Sequence, residues 1–211
     1  AATTTNNPAL SLQCANIALD TTTIRSLDWE RSRFDIEFGL RNGTTYNCFF
    51  IEGAQSALID TSHLKFKENW FPALAKEIDP SSIDYLIVSH TEPDHSGLIG
   101  YLIDLNPNIE IIASKIALDF LKNQIHRPFR SRAIKSGDEL NLGTNTKSGV
   151  NHLIEFLSAP NLHWPDTIFS FDHGTKILYT CDAFGLHYCS DQLFDVDPKI
   201  IAPDFRFYYD C

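Results

Sequence analysis

The run His90-Thr91-Glu92-Pro93-Asp94-His95 constrains this chain more than any other feature. Four side chains able to hold a metal fall within six residues. The preceding Ile83-Asp84-Tyr85-Leu86-Ile87-Val88-Ser89 reads as a short apolar strand. From Ser96-Gly97 onward the pattern becomes helical. The cluster therefore lies on a loop at the C-terminal end of a strand, where a rigid scaffold can aim several donors at one point. The alternation of His90, Glu92 and Asp94 lets an extended loop point them the same way.

The rest of the chain supports a layered α/β fold. Ser32 to Phe38 alternates as a half-buried strand, and Tyr46 to Ile51 does so less cleanly. Ala57-Leu58-Ile59-Asp60 reads as a short buried strand. Phe66 to Ile78 carries Trp70, Phe71, Leu74 and Ile78 near helical spacing, and Asp79-Pro80 stops that helix. Ser96 to Leu105 predicts helix, Ile109 to Ala113 strand, and Lys115 to Gln124 helix. Beyond Asp138 the pattern is mostly strand, at Ile154–Leu157, Ile168–Phe171 and Ile177–Thr180, with a polar loop from Thr144 to Gly149. Two sheets sandwiched by helices is the natural packing of such elements.

Two further segments add donors to the first four. One is Ser158-Ala159-Pro160-Asn161-Leu162-His163-Trp164-Pro165-Asp166, and the other is Cys181-Asp182-Ala183-Phe184-Gly185. Taken together, the H-x-E-x-D-H loop, the His-Trp-Pro-Asp segment and the Cys-Asp-Ala-Phe-Gly segment resemble the metallo-β-lactamase-like domain of flavodiiron proteins. The resemblance runs from about Ile24 to Cys211. Arg25-Ser26-Leu27-Asp28-Trp29 and Phe207-Tyr208-Tyr209-Asp210-Cys211 look most like the photosynthetic, cyanobacterial-type branch. It implies a metallo-β-lactamase-like αββα sandwich over residues 24–211, preceded by a flexible N-terminal arm over 1–23.

Glu92 separates the diiron branch from its zinc relatives, and the chemistry of that choice is physical. Zinc hydrolases favour imidazole-rich shells with one open position. A carboxylate makes the site harder and more anionic, which suits iron, including its ferric state. A carboxylate between two metals also has lone pairs for both.

By resemblance, His90, Glu92 and His163 hold one iron, Asp94 and His95 hold the other, and Asp182 bridges them. The resemblance also implies a further His ligand well beyond Asp182 and a flavodoxin-like FMN domain. The chain ends at Cys211, so it reads as a diiron domain without either. The intact protein would then reduce O2 to water. Its electrons would come through FMN in a head-to-tail partner subunit, of the same or a different chain. Their source would be NAD(P)H or another photosynthetic donor. The fragment alone is expected to turn over slowly or not at all. Three alternatives remain open at this level: a nitric oxide reductase of the same family, a zinc metallohydrolase of the wider superfamily, and a catalytically silent domain acting by association.

Composition narrows the setting. Net charge is −10, which disfavours nucleic acid and anionic membrane surfaces as partners. No apolar run approaches the length of a membrane-spanning helix. Ala1 to Pro8 is polar and lacks a secretory pattern. The five cysteines, Cys14, Cys48, Cys181, Cys189 and Cys211, form no C-x-x-C pair, so a reducing cytoplasm or plastid stroma is expected. Cys181 reads as a small buried residue rather than a ligand. The chain contains no methionine, so the sequence as it stands reads as processed or cut.

Several residues invite a second reading. His63 follows a strand end and reads as structural. By resemblance His187 lies near the site, with a supporting or proton-relay role. His126, His152 and His173 have no partner motif and read as surface residues. The basic run Arg127, Arg130, Arg132 and Lys135 reads as a solvated face, with a flavin phosphate or redox partner as the sharper alternative. Trp164 and Tyr208 or Tyr209 could wall a substrate pocket, with core packing the plainer reading for Trp164.

Overall fold

The computed structural model describes residues 9–34, 38–194 and 197–210, with Phe38 and Pro198 described by backbone only. Chain order begins with β1 Leu10–Ala18, β2 Thr21–Asp28, the short ribbon β3 Arg33–Phe34 and β4 Phe38–Gly39, β5 Thr44–Glu52 and β6 Ser56–Ile59. Then come α1 Lys67–Glu77, β7 Tyr85–Ile87, the single turn α2 Pro93–Ser96, α3 Ile99–Leu105, β8 Glu110–Ser114 and α4 Lys115–Ile125. The remainder is β9 Ser131–Ile134, β10 Glu139–Thr144, β11 Asn151–Ser158, β12 Ile168–Asp172, β13 Ile177–Tyr179 and α5 Pro198–Asp210.

A seven-stranded sheet, ordered β1-β2-β5-β6-β7-β8-β9, faces a four-stranded sheet, β10-β11-β12-β13. The first sheet is antiparallel up to β6 and parallel from β6 to β9. Its central strands are apolar on both faces, and consecutive residues part company across the sheet. Leu58, Leu86, Ile111 and Ala113 pack against Trp70, Leu74, Leu102 and Leu121 of the helices. Their neighbours Ile59, Ile87 and Ile112 pack against Leu142, Ile154, Phe156 and Ile168 of the second sheet. This is the α/β sandwich that the sequence predicts, with α1, α3 and α4 forming its outer layer on the large sheet.

Four expectations change. The N-terminal arm does not extend to residue 23: β1 and β2 are the outer strands of the large sheet, and β2 is buried along most of its length. Only residues 1–8 of that arm lie outside the described residues. The strand expected over Ser32–Phe38 has its middle, 35–37, outside the described residues, and its ends form the β3–β4 ribbon. The helix expected from Ser96 starts earlier, at Pro93, and breaks at Gly97-Leu98 before α3. A Cβ on Gly97 would lie 2.5 Å from Pro93 O and 2.9 Å from Ser62 O, both backbone, so only glycine fits where the β6 loop presses on α2. Finally, His152 is fully buried rather than on the surface. Its Nδ1 lies 2.8 Å from Asp172 and its Nε2 3.2 Å from Asp20, joining the β1–β2 turn to the second sheet.

Candidate metal centre

The ends of β6, β7, β11 and β13 lead to one rim of the sandwich. β6 delivers Asp60, β7 the His90–His95 loop, the β11–β12 connection His163 and Asp166, and the residues after β13 Cys181 and Asp182. Four non-glycine residues with positive φ lie on three of these loops: Asp60 (60°), Asn161 (67°), Cys181 (54°) and Phe184 (66°). Such backbone is rare and persists where the surroundings over-determine it. The peptide between Leu162 and His163 is cis.

Two loops are stitched together behind the donors. Asp166 Oδ2 accepts hydrogen bonds from Thr91 N and Thr91 Oγ1, both at 2.8 Å, and Ile168 N donates to Ser89 O at 2.9 Å. Gln124 Nε2 and Ser96 Oγ donate to Thr91 O. The β6 end holds α2 in the same manner, with Thr61 N donating to His95 O at 2.8 Å.

The donors form two lobes around Asp182. On one side, Asp182 Oδ2 lies 3.1 Å from His90 Nε2 and 3.3 Å from His163 Nε2. Glu92 Oε2 lies 3.2 Å from that same His163 nitrogen, and the four residues form one compact donor group. On the other side, Asp182 Oδ1 lies 2.9 Å from His95 Nε2, and Asp94 Oδ2 lies 3.5 Å from it. His95 is fixed from behind, with its Nδ1 3.1 Å from Asp60 Oδ2. A carboxylate at that position favours a proton on Nδ1, the arrangement in which Nε2 can ligate a metal. His90, Glu92, Asp94 and His95 are buried, whereas His163 is exposed, so the site opens on the His163 side.

Three carboxylates share this pocket with three imidazoles. Burial pushes Asp94 up to about 6, with His95 pulling it down and Asp182 and Glu92 pushing it further up. Burial would raise Asp182 too, but the imidazoles of His95, His163 and His90 override it and hold the carboxyl well below its usual range. The adjacent carboxylates of Asp182 and Glu92 lift His163 to about 10. Burial opposes charge on His95, and Asp182 prevails, raising it well above its ordinary value. The pocket thus draws positive charge inward.

Two oxygens fit a metal better than any protein partner. Glu92 Oε2 and Asp94 Oδ1 are buried without a hydrogen-bond partner among the described residues. Glu92 Oε2 is close to His163 Nε2 but not aligned with it as an acceptor. Anionic oxygens buried without compensation cost several kcal/mol, which a bound cation removes.

All six residues singled out by the motifs meet at this site: His90, Glu92, Asp94, His95, His163 and Asp182. Sequence reasoning passed over Asp60 as a strand end and Asp166 as part of a motif. The available signal was a carboxylate directly after a buried apolar run, and an Asp three residues after His163. His187 lies in an aromatic stack, 4.3 Å from the Phe34 ring and 5.4 Å from Tyr208, with its Nδ1 3.1 Å from Thr44 Oγ1. Burial raises Tyr208 to about 12, with the nearby negative charge of Asp182 adding to it. Tyr209 is exposed. Trp164 is half-buried and meets the edge of His90 at 5.5 Å, so it walls the site rather than filling the core. His63 caps the turn before α1 by accepting from Lys65 N, His126 is the exposed C-cap of α4, and half-buried His173 pairs with Glu155 at 2.8 Å. Arg127 pairs with Asp104 of α3, and Arg132 of the edge strand β9 pairs with Glu110 of β8, where charge discourages further strand pairing. Cys14, Cys48, Cys181 and Cys189 are free, and Cys211 lies outside the described residues.

Comparison with known proteins identifies the family of this fold. A family model described as the ODP family beta lactamase matches residues 44–203. A diflavin flavoprotein of Nostoc sp. (strain PCC 7120) is 60% identical over 202 residues, covering 96% of this chain and 34% of the relative. The chain therefore spans about a third of that relative's length. Among solved structures, the metal-soaked Flv1 flavodiiron core of Synechocystis sp. PCC6803 is 34% identical with a TM-score of 0.88, covering 97% of this chain and 50% of that one. The rubredoxin oxygen:oxidoreductase of Desulfovibrio gigas is 27% identical with a TM-score of 0.86, covering 93% and 48%. With the family model spanning most of the chain and the two-lobed donor set in place, the chain belongs to the flavodiiron family, as its ODP-type β-lactamase-like domain.

Proposed function

We propose that this domain carries a non-haem diiron centre that reduces dioxygen to water. One observation carries the reading: the two oxygens of Asp182 face different donor sets, His90 and His163 on one side and His95 on the other. A carboxylate so placed is suited to bridging two cations. In this assignment His90, Glu92 and His163 hold one iron, Asp94 and His95 hold the second, and Asp182 joins them. A pair of ferrous ions held by these residues would supply electrons for dioxygen reduction and offset the developing negative charge.

The chain's own residues set the conditions for that chemistry. Asp60 orients His95, and Asp166 fixes the loop that carries His90 and Glu92 through Thr91. Trp164 covers His90 on one side and excludes water from it. His163 and Asp182, the more exposed members, border the opening through which a small diatomic enters.

The name of the Desulfovibrio protein supports oxygen as substrate, and the name diflavin flavoprotein supports a flavin, FMN in our reading, as immediate electron source. NAD(P)H or an electron-carrier protein would feed that flavin, and a head-to-tail oligomer would bring it to the irons. No helix among the described residues is long and apolar enough to cross a membrane. That and the free cysteines support a cytoplasmic or stromal setting.

Metal analysis tests the core of the proposal. After anaerobic loading with ferrous iron, about two irons per chain are expected, antiferromagnetically coupled once oxidised. Asp182→Asn is expected to lower the iron content and remove the coupling. Two uncoupled irons, or zinc retained in preference to iron at both positions, would overturn it.

A further inference from the structure

The two layered sheets end on β1 and β9 in the large one and on β10 and β13 in the small one. Three of these edges are blunted. β9 is four residues long and carries Arg132, and β13 is three residues long. β10 carries Glu139, a register shift between Asn141 and Gly143, and the Gln55 N–H on its Leu142 carbonyl. β1 is different. It runs for nine residues, Leu10–Ala18, without a charge, a proline or a glycine. Each of these residues is at least partly exposed, Cys14 and Asn16 the most. A long, uncharged open edge is a template for another strand.

The register fixes which backbone groups are open. Trp29 N donates to Ala9 O at 3.0 Å, and Leu10 stands opposite Asp28. Opposed pairs in an antiparallel ladder alternate between bonded and non-bonded. Ser11, Gln13 and Ala15 therefore bond inward to β2, while Leu10, Leu12 and Cys14 turn their N–H and C=O groups outward. Among the described residues nothing bonds to those outward groups. Leu12 and Cys14 also line an open groove of about 430 Å³ whose other wall is Glu68, Pro72 and Lys76 of α1. These three exposed residues recur every fourth position, so they form one ridge along the groove side of the helix.

We propose that β1 is a self-association edge: a second copy of this chain adds its own β1 antiparallel, Leu12 opposite Leu12, and continues the large sheet across a twofold axis. Charge selects the occupant. At a net charge of −10 two copies repel over most of their surface, but β1 sets no like charge against itself. The helix ridge adds attraction. Three antiparallel steps separate β1 from β6, and α1 crosses back between the parallel strands β6 and β7, so α1 runs along β1. Cys14 lies beside Lys76 and Glu77. Moving back about 7 Å along strand and helix alike brings Leu12 level with Pro72. A twofold axis normal to the sheet keeps both copies of α1 on one face. Centred on Leu12 and Pro72, it sets Glu68 of each copy toward Lys76 of the other, since each stands four residues from Pro72.

In this arrangement Leu12 pairs with Leu12, and Leu10 with Cys14, each pair exchanging both of its hydrogen bonds. The register shift between Asn16 and Ala18 ends the pairing before the β1–β2 turn. The groove over Leu12 and Cys14 closes in the same step and takes apolar surface out of water. An edge that pairs with its own copy is used up, so growth stops at two chains. No donor of the metal centre lies on β1 or α1, and the contact is separate from the head-to-tail one that would deliver electrons.

Sedimentation velocity on the full chain, run beside amide hydrogen exchange, is the test. A dimer is expected, with the Leu12 and Cys14 amides protected in it. Cys14→Lys puts a charge on the open edge and is expected to return the chain to monomer and release those amides. Ala133→Lys, on the exposed edge strand β9, is expected to leave the dimer intact. Glu68→Lys sets lysine against lysine at both ends of the helix contact and is expected to weaken association by about tenfold or more. Adding Lys76→Glu to it restores opposite charges and the dimer. A monomer at every concentration overturns the proposal. So does a dimer that Cys14→Lys leaves intact, or one in which the Leu12 amide exchanges freely. Should Cys14→Lys fail to fold, the charge swap on the exposed ridge of α1 still decides, because a dimer indifferent to it has its axis elsewhere.

Discussion

Replacing Asp60 by Asn isolates one proton in this structure. Asp60 accepts twice: Oδ1 from Ser89 N at 2.7 Å and Oδ2 from His95 Nδ1 at 3.1 Å. Its φ is 60°, a region that Asn tolerates as readily as Asp, so the backbone is left unstrained. The Asn carbonyl keeps the bond to Ser89. The Asn amide, however, presents N–H to His95 Nδ1 and makes that nitrogen an acceptor. The ring proton then belongs on Nε2, the atom that faces Asp182 at 2.9 Å and must be bare to ligate. Loss of such an outer partner weakens metal binding by roughly 10–100-fold, or about 1.4–2.7 kcal/mol. The effect should fall on one of the two metals, because His90 and His163 do not touch Asp60. A chelator competition that resolves two binding steps measures it, and circular dichroism checks that the fold is kept. Equal weakening of both steps, or of neither, would refute the idea that Asp60 acts through His95 on one lobe.

Three other outcomes test separate parts of the structure. Gly97→Ala places a Cβ against backbone oxygens at 2.5 and 2.9 Å, and overpacking of that kind costs about 1–3 kcal/mol, read as a lower urea midpoint. Asp166→Ala leaves the Thr91 N–H and hydroxyl without their acceptor in a buried loop, costing about 1–3 kcal/mol for the orphaned amide, with faster metal release from the His90 side. The buried pair of His152 and Asp172 gives a pH signature. Burial opposes charge on both groups, but their mutual hydrogen bond, with Asp20 on His152 and Thr175 on Asp172, raises His152 above 6.5 and lowers Asp172 below 3.8. The imidazolium contribution is full below pH 6.5 and fades as pH rises through the raised value. The carboxylate contribution is full above pH 3.8 and fades as pH falls through the lowered one. The stability gap between the wild type and His152→Gln should therefore be widest between these values and shrink at pH 9. A gap that widens toward pH 9 would contradict the charged pair.

The large elements were legible because their signal is local. Trp70, Phe71 and Leu74 recur at helical spacing, and α1 covers Lys67–Glu77 within the span their pattern predicts. The apolar run before His90 is a short central strand of the parallel half of the sheet, buried on both faces. β2 was hidden because its face is built from threonines. Thr21, Thr22 and Thr23 are nearly inaccessible, yet their hydroxyls bond to Leu19 O, Asn16 and Cys48 O. Hydropathy marks such residues as exposed, and only the neighbouring strands make their burial possible. His152 was misread for the same reason: its partners Asp172 and Asp20 lie 20 and 132 residues away.

By itself the sequence determined the donors. Residue type fixes which atoms can bind a metal, and the spacing from His90 to His95 fixes that they share one loop after one strand. The tertiary structure decided how those donors divide. Only the folded chain sets the two Asp182 oxygens toward different imidazoles and places Asp60 behind His95. The reason is geometric: coordination depends on distances of a few tenths of an ångström between atoms up to 92 residues apart. Packing of the two sheets, and no local pattern, holds such atoms in place.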